Sequence, residues 1–242
     1  VAVQVDLELW ARDAGKALHR GDLVIVIDAL RSGTSILNAL NNGAEAVIPV
    51  ESLKQACRLR SQHPDYLLAG ERMGEKPAGF DFGNSPLEFT SDMVAGRTLV
   101  MTTTSGTAAL VRSQRAHRVL VGTFLNAGAV AAKAESVAEN ERIGVSFVLA
   151  GEKGLFSLED FLCAGAIAEG FAAGGVRFSD KAQAALLAFK QVRNDLEGSV
   201  MEAEHAKHLV KLGFKGDVVF SCRLDVLRKV PVYGHNRITL QE

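Results

Sequence analysis

Apolar positions along this chain cluster in short runs, each closed by a polar junction and followed by apolar residues at helical spacing. The clearest case is Leu23 to Leu40. Val24, Ile25, Val26 and Ile27 form an unbroken β-branched run, which suits a central strand covered on both faces. The run stops at Asp28. Arg31, Ser32, Gly33, Thr34 and Ser35 follow, and then Ile36, Leu37 and Leu40 recur as on one side of a helix. In open α/β sheets such a strand-to-helix junction is where ligands bind, and the N–H groups that open the helix favour an anion there.

The unit recurs three times. Arg97–Thr102 runs into Thr103-Thr104-Ser105-Gly106-Thr107 and a helix, and His117–Val121 runs into Gly122-Thr123-Phe124-Leu125-Asn126 and an alanine-rich helix. Ile143–Ala150 runs into Gly151-Glu152-Lys153-Gly154 and a helix starting at Ser157. Val1–Leu9 alternates like a strand with one wet face, near an edge. Further strands are expected at Glu45–Val50, Tyr66–Ala69 and Asp217–Ser221. Helices are expected over Leu9–His19, from a Ser52 cap to Gln62 with Leu53, Ala56 and Cys57 inward, over Ser179–Asp195 and over Ser199–Leu212. The alternation predicts an α/β fold: three layers, a largely parallel sheet with helices on both faces, and a ligand site at the carboxyl ends of the strands, with four junctions on one rim. One domain over residues 1–242 is expected, or two closely packed lobes, with a mainly helical last third.

Composition narrows the function classes. The chain has 242 residues, 48% hydrophobic, enough for an ordinary core, and a net charge of −1, which lacks the broad basic field of a nucleic-acid binder. No apolar run reaches membrane-spanning length, and the alternating start is no signal sequence, so a cytoplasmic protein is expected. Cys57, Cys163 and Cys222 lie too far apart for a zinc site, and two of them are expected to be packed as small apolar side chains.

Candidate chemistry gathers at the junctions. Asp28 reads as a nucleophile or metal ligand, or simply as the cap of its helix. Arg31 beside it suits a bidentate grip on phosphate or carboxylate. Glu71 and Arg72 open the segment Gly70 to Pro86, a loop rich in glycine that also carries Asn84 and Ser85. Phe80 and Phe82 within it argue for an ordered loop. Thr103, Thr104, Ser105, Gly106 and Thr107 could cradle a phosphate. Asn126 and Lys153 stand at the other two junctions. Ser157 with Asp160 fits a capping box, while Glu152, Glu159 and Asp160 together could supply the one or two carboxylates that Mg²⁺ takes. Glu202, Glu204, His205 and His208 read as a solvated helix face rather than a metal cluster. The Cys222 to Arg228 spacing of cysteine-dependent phosphatases lacks the glycine of a phosphate loop and is set aside. P-loop, dinucleotide and nucleophile-elbow motifs are absent.

Taken together, the segments IDALRSGTSILNALNNGA (Ile27–Ala44), GERMG with GFDFGNSP (Gly70–Pro86), TTTSGTAAL (Thr102–Leu110) and LAGEKGLFSLEDFLCAGAI (Leu149–Ile167) resemble the 2-phosphosulfolactate phosphatases of the coenzyme M pathway. The tail agrees through His205 to Leu209, GDVVFSC and Pro231. Ser32-Gly33 and Ser105 depart from the usual family pattern, at the phosphate cradle. The resemblance implies a Mg²⁺-dependent phosphomonoesterase acting on (2R)-2-phospho-3-sulfolactate or a related 2-phosphohydroxy acid. The mechanism expected on these residues has Asp28, Arg31 and Glu71 as the catalytic set, with Asp28 attacking phosphorus or, in the rival form, ligating the metal while water attacks, and Glu71, Glu159 or Asp160 ligating the metal or positioning the water. A small anionic ester is the implied partner, with no nucleic acid or membrane, and a homodimer is compatible with it. The alternative is an anion-binding α/β protein without catalysis.

Overall fold

The structure, a computed structural model, describes residues 2–171 and 175–240. In chain order the elements are β1 (Val3–Glu8), α1 (Ala14–Arg20), β2 (Leu23–Ile27), α2 (Ser32–Asn41), β3 (Ala46–Pro49), α3 (Leu53–Gln62), β4 (Leu67–Gly70), α4 (Ser91–Val94), β5 (Thr98–Thr102), α5 (Gly106–Ser113) and β6 (Val119–Gly122). There follow α6 (Ala127–Glu141), β7 (Val145–Leu149), α7 (Leu158–Glu169), β8 (Val176–Phe178), α8 (Asp180–Val192), α9 (Leu196–Met201), α10 (Glu204–Lys211), α11 (Lys215–Ser221), β9 (Pro231–Gly234) and β10 (Arg237–Leu240). Among the described residues the strands form one ten-stranded sheet in the order β4-β5-β3-β10-β9-β6-β2-β7-β1-β8. The three-layer, largely parallel α/β architecture expected from the alternation is present. The expected first strand begins at Val3, and Val1 lies outside the described residues.

Two parallel blocks make up the sheet. β6, β2, β7, β1 and β8 run one way, and β4, β5 and β3 are parallel to each other. Between them β9 and β10 form a hairpin that is antiparallel to β6 on one side and to β3 on the other. Three antiparallel steps reverse direction, so the blocks run opposite ways along the sheet. The expected largely parallel sheet is thus built as two parallel blocks joined through an antiparallel hairpin. The carboxyl ends of both blocks still border one cavity, which requires the sheet to coil between them.

Side-chain periodicity sorts the layers. Val24 and Val26 of β2 face inward onto α1, α2 and α5, where Ala17, Ile36, Leu40 and Leu110 pack with Leu99 and Met101 of β5. Ile25 and Ile27, on the other side of the same strand, meet α6, α7 and α8. Ala56 of α3 covers Leu68 and Val100 outside the second block. The central run is thus buried on both faces because each face has its own helical layer.

Local expectations fail in identifiable places. Asp217–Ser221 is not a strand but lies in α11, because Val218 and Cys222 turn one helical face onto the core and tertiary packing overrides β-propensity. The helix expected over Ser199–Leu212 is broken where Ala203 takes an extended conformation between α9 and α10. The β9–β10 hairpin was not expected. His235 and Asn236, both left-handed, form its two-residue turn. Ser52 caps α3 as expected, and Ala56 is buried, but Cys57 is exposed on the outer side of that helix. Cys163 and Cys222 are the two buried thiols. No helix among the described residues is long and apolar enough to cross a membrane.

Candidate active site

The ends of β2, β4, β5 and β7 meet α10 around a cavity that opens to solvent. Each wall residue is set by a local device. Asp28 follows the last residue of β2, and its Oδ1 accepts from the Ser32 N–H at 3.1 Å while its carbonyl accepts from Gly33 N. The plain capping role and the place at the cavity are therefore both real. Oδ2 accepts no hydrogen bond among the described residues. A Cβ on Gly106 would collide with Asp28 Oδ2 and Ser32 Oγ, so the starts of α2 and α5 approach this closely only because position 106 is glycine. Burial pushes the Asp28 carboxyl up to about 7, with Glu152 and Glu71 adding to the rise while His205 and the Ser32 N–H oppose it.

Glu71 follows β4. Its two carboxylate oxygens accept from Gly74 N at 2.8 Å and Thr104 N at 2.6 Å, so one carboxylate pins the glycine-rich loop to the β5 junction. Lys153 N donates to Ser105 Oγ at 3.3 Å, which ties the β7 junction to the same place. Lys153 and Met73 both take left-handed conformations ahead of glycines, in two matching tight turns that flank the cavity. Asn84, Thr103, Thr104, Ser105 and Lys153 line the cavity, as does Arg31. Asn84 Oδ1 and Ser32 Oγ are buried without a partner, the state of polar atoms awaiting a ligand or water.

The remaining candidates are held by other contacts, on the wall or behind it. Arg31 is neither exposed nor free. Its guanidinium pairs with Asp217 at 2.8 Å, donates to the Gly74 carbonyl at 2.9 Å and lies over the Phe214 ring. Arg72 is spent on backbone and hydroxyl, donating to the carbonyls of Glu71 and Thr102 and to Thr102 Oγ1. Ser85 donates to Asp217 Oδ1 behind the wall. Thr107 closes a reciprocal loop with Thr103, which shapes the α5 start, and Gly106 contributes its missing side chain. Asn126 is fully buried, bound to Thr123, Val121 and Lys229, and the β6 junction does not reach the cavity. Asp160 does not reach back to its own helix start. It accepts from Ala29 N at 2.9 Å and Gly151 N at 3.0 Å, stapling the β2 and β7 junctions together, and burial with Asp28 and Glu159 nearby holds its carboxyl well above the usual range. Glu159 is buried behind the wall against His205.

The largest miss is α10. His205 and His208 line the cavity, whereas the sequence reading put them on a solvated face. Their three-residue spacing was the available signal. What hid them was the break at Ala203, which reorients α10 toward the strand ends.

For a hard divalent cation the donors are carboxylates. Among the described residues no three His, Cys, Asp or Glu side chains close round one point. Asp28 and Glu71 on the wall match the one or two protein carboxylates that Mg²⁺ uses beside water and phosphate oxygens, so the residues fit such an ion.

A family model described as 2-phosphosulpholactate phosphatase matches residues 11–236. The chain belongs to the 2-phosphosulfolactate phosphatase family. Among the relatives of this phosphatase family, a probable 2-phosphosulfolactate phosphatase of Clostridium acetobutylicum is 37% identical over 239 residues, covering 98% of this chain and 100% of that protein. One of Thermotoga petrophila is 39% identical over 218 residues, 90% of this chain and 92% of its own. One of Symbiobacterium thermophilum is 37% identical over 226 residues, 92% and 95% of the two. The matched span of this family member contains every residue of the cavity wall described above.

Proposed function

We propose that the chain is a Mg²⁺-dependent phosphomonoesterase that hydrolyses (2R)-2-phospho-3-sulfolactate, or a related 2-phosphohydroxy acid, to the hydroxy acid and phosphate. The observation that carries this reading is Asp28, fixed at the end of the central strand between two helix starts, with one carboxylate oxygen free. Phosphoryl transfer needs in-line positioning and neutralised charge more than elaborate covalent machinery. Lys153 brings positive charge to a wall that otherwise carries Asp28, Glu71 and Glu152, and the starts of α2 and α5 turn the positive ends of their dipoles toward it.

In this reading Asp28 Oδ2 attacks phosphorus, the ester P–O bond breaks, and water then hydrolyses the aspartyl phosphate. Asp28 and Glu71 would hold Mg²⁺, which supplies charge neutralisation on the phosphate oxygens. Glu71 also accepts from the Thr104 N–H, so the same carboxylate holds the β5 junction that borders the cavity. The test is phosphate release from a panel of 2-phosphohydroxy acids with Mg²⁺ and with chelator, for the native chain and Asp28→Asn. Metal-dependent release that the variant loses supports the reading. Binding of the panel without release points instead to an anion-binding protein.

A further inference from the structure

The most complete unassigned constellation in the molecule is on α10. His205 Nδ1 lies 3.0 Å from Oε1 of Glu159, a carboxylate only 1% exposed on α7, and the ring's other edge faces the cavity. Nε2 stands 3.8 Å from Glu152 Oε2, beyond direct hydrogen bonding. A histidine with one nitrogen fixed by a buried carboxylate and the other turned to a reacting centre is the arrangement that holds one tautomer and makes proton transfer efficient. A structural histidine would have both nitrogens engaged. Here only Nδ1 is hydrogen-bonded, on the side away from the cavity, while Nε2 has the Glu152 carboxylate as an ion-pair neighbour beyond hydrogen-bond distance.

We infer that His205 is the catalytic acid of the reaction, giving its Nε2 proton to the departing alkoxide oxygen, and that Glu159 is its positioning residue. This rests on the phosphatase reading above. The step balances: the Asp28 oxygen bonds phosphorus, the P–O bond to the substrate's C2 oxygen breaks, and that oxygen takes the imidazolium proton to leave as alcohol. In the second half the neutral ring takes a proton from the attacking water, phosphate departs, and both Asp28 and the imidazolium are restored. An unactivated secondary alkoxide is a poor leaving group, so the chemistry needs a proton donor on that side. Among the described cavity-lining side chains the groups facing His205 are Glu152 from the β7 turn and Asp28 from β2, with Glu159 behind it. His208, one turn along α10, is exposed and lacks a carboxylate to fix its ring.

The test separates proton donation from packing by changing the leaving group at constant shape. In single turnover, His205→Asn should release lactate from 2-phospholactate about 10²- to 10⁴-fold more slowly than the native chain. With 2-phospho-3,3,3-trifluorolactate, whose alcohol is far more acidic, the deficit should shrink to less than about tenfold. Glu159→Gln should show the same leaving-group sensitivity at smaller amplitude, and carries the test if His205→Asn does not fold. An equal deficit on both esters, or none, overturns the assignment while leaving the phosphatase reading intact. A native chain that releases phosphate from neither ester nor from (2R)-2-phospho-3-sulfolactate refutes both.

Discussion

Arg31 and Asp217, 186 residues apart in the chain, form an ion pair in which both side chains are almost wholly buried. The second Asp217 oxygen accepts from Ser85 Oγ, and the second terminal nitrogen of Arg31 reaches the Gly74 carbonyl. The cation beside Asp28 thus joins the α2 start, the glycine-rich loop and α11, and so fixes the C-terminal helices that bring His205 over the cavity.

Removing one partner of a buried pair leaves an uncompensated charge. Asp217→Ala should cost about 3–5 kcal/mol in urea unfolding. Replacing both partners by apolar residues, Arg31→Met with Asp217→Leu, should recover most of that stability but not the activity, because the loop and helix lose their polar register. Recovery of both would mean the pair does nothing for the site.

Gly106 offers a cleaner probe of positioning. An alanine there would meet Asp28 Oδ2 and Ser32 Oγ and also Ser32 Cβ, which moves only with the α2 backbone. Gly106→Ala should therefore shift both the carboxylate and the α2 start: a displacement of about 1 Å should lower kcat roughly 10²-fold, and Tm should fall with it. Gly15→Ala in α1, where nothing lies within 4 Å, should leave activity unchanged and stabilise by about 0.5–1 kcal/mol.

The pH dependence of stability has a contributor in Asp81, on the surface. Burial opposes its ionisation, but the Leu68 N–H at 2.7 Å and the Arg60 guanidinium outweigh this and hold the carboxyl below its usual value. A depressed folded pKa stabilises above the unfolded pKa and loses that contribution as pH falls through the folded one. Asp81→Asn should be less stable than the native chain at pH 7, with the difference closing below about pH 4. A constant gap across that range would show that hydrogen bonding alone, not charge, is at stake.

The thiols should titrate unequally. Cys57 is exposed, while burial pushes the Cys163 thiol well up and takes Cys222 to about 12. A thiol-specific reagent should modify one cysteine in the folded chain and three after denaturation. Fast reaction of Cys222 in the folded chain would reopen the Cys222 to Arg228 spacing as a reactive motif.

The strands that carry the chemistry are legible in the residue pattern alone. An unbroken run such as Val24–Ile27 has to be covered on both faces, and the residue that ends it, Asp28, has to stand at an open strand end. Phe80 and Phe82 likewise announced an ordered loop, and both are buried. Which junctions meet depends on long-range packing. The antiparallel hairpin at the middle of the sheet reverses one block against the other, and local periodicity carries no information about such a reversal. The same limit made Arg31 look like an anion grip, since its partner Asp217 lies at the far end of the chain. It also hid His205, whose neighbours Glu159 and Asp28 come from α7 and β2. Polar side chains take their roles from what surrounds them, and those surroundings are assembled by contacts distant in sequence.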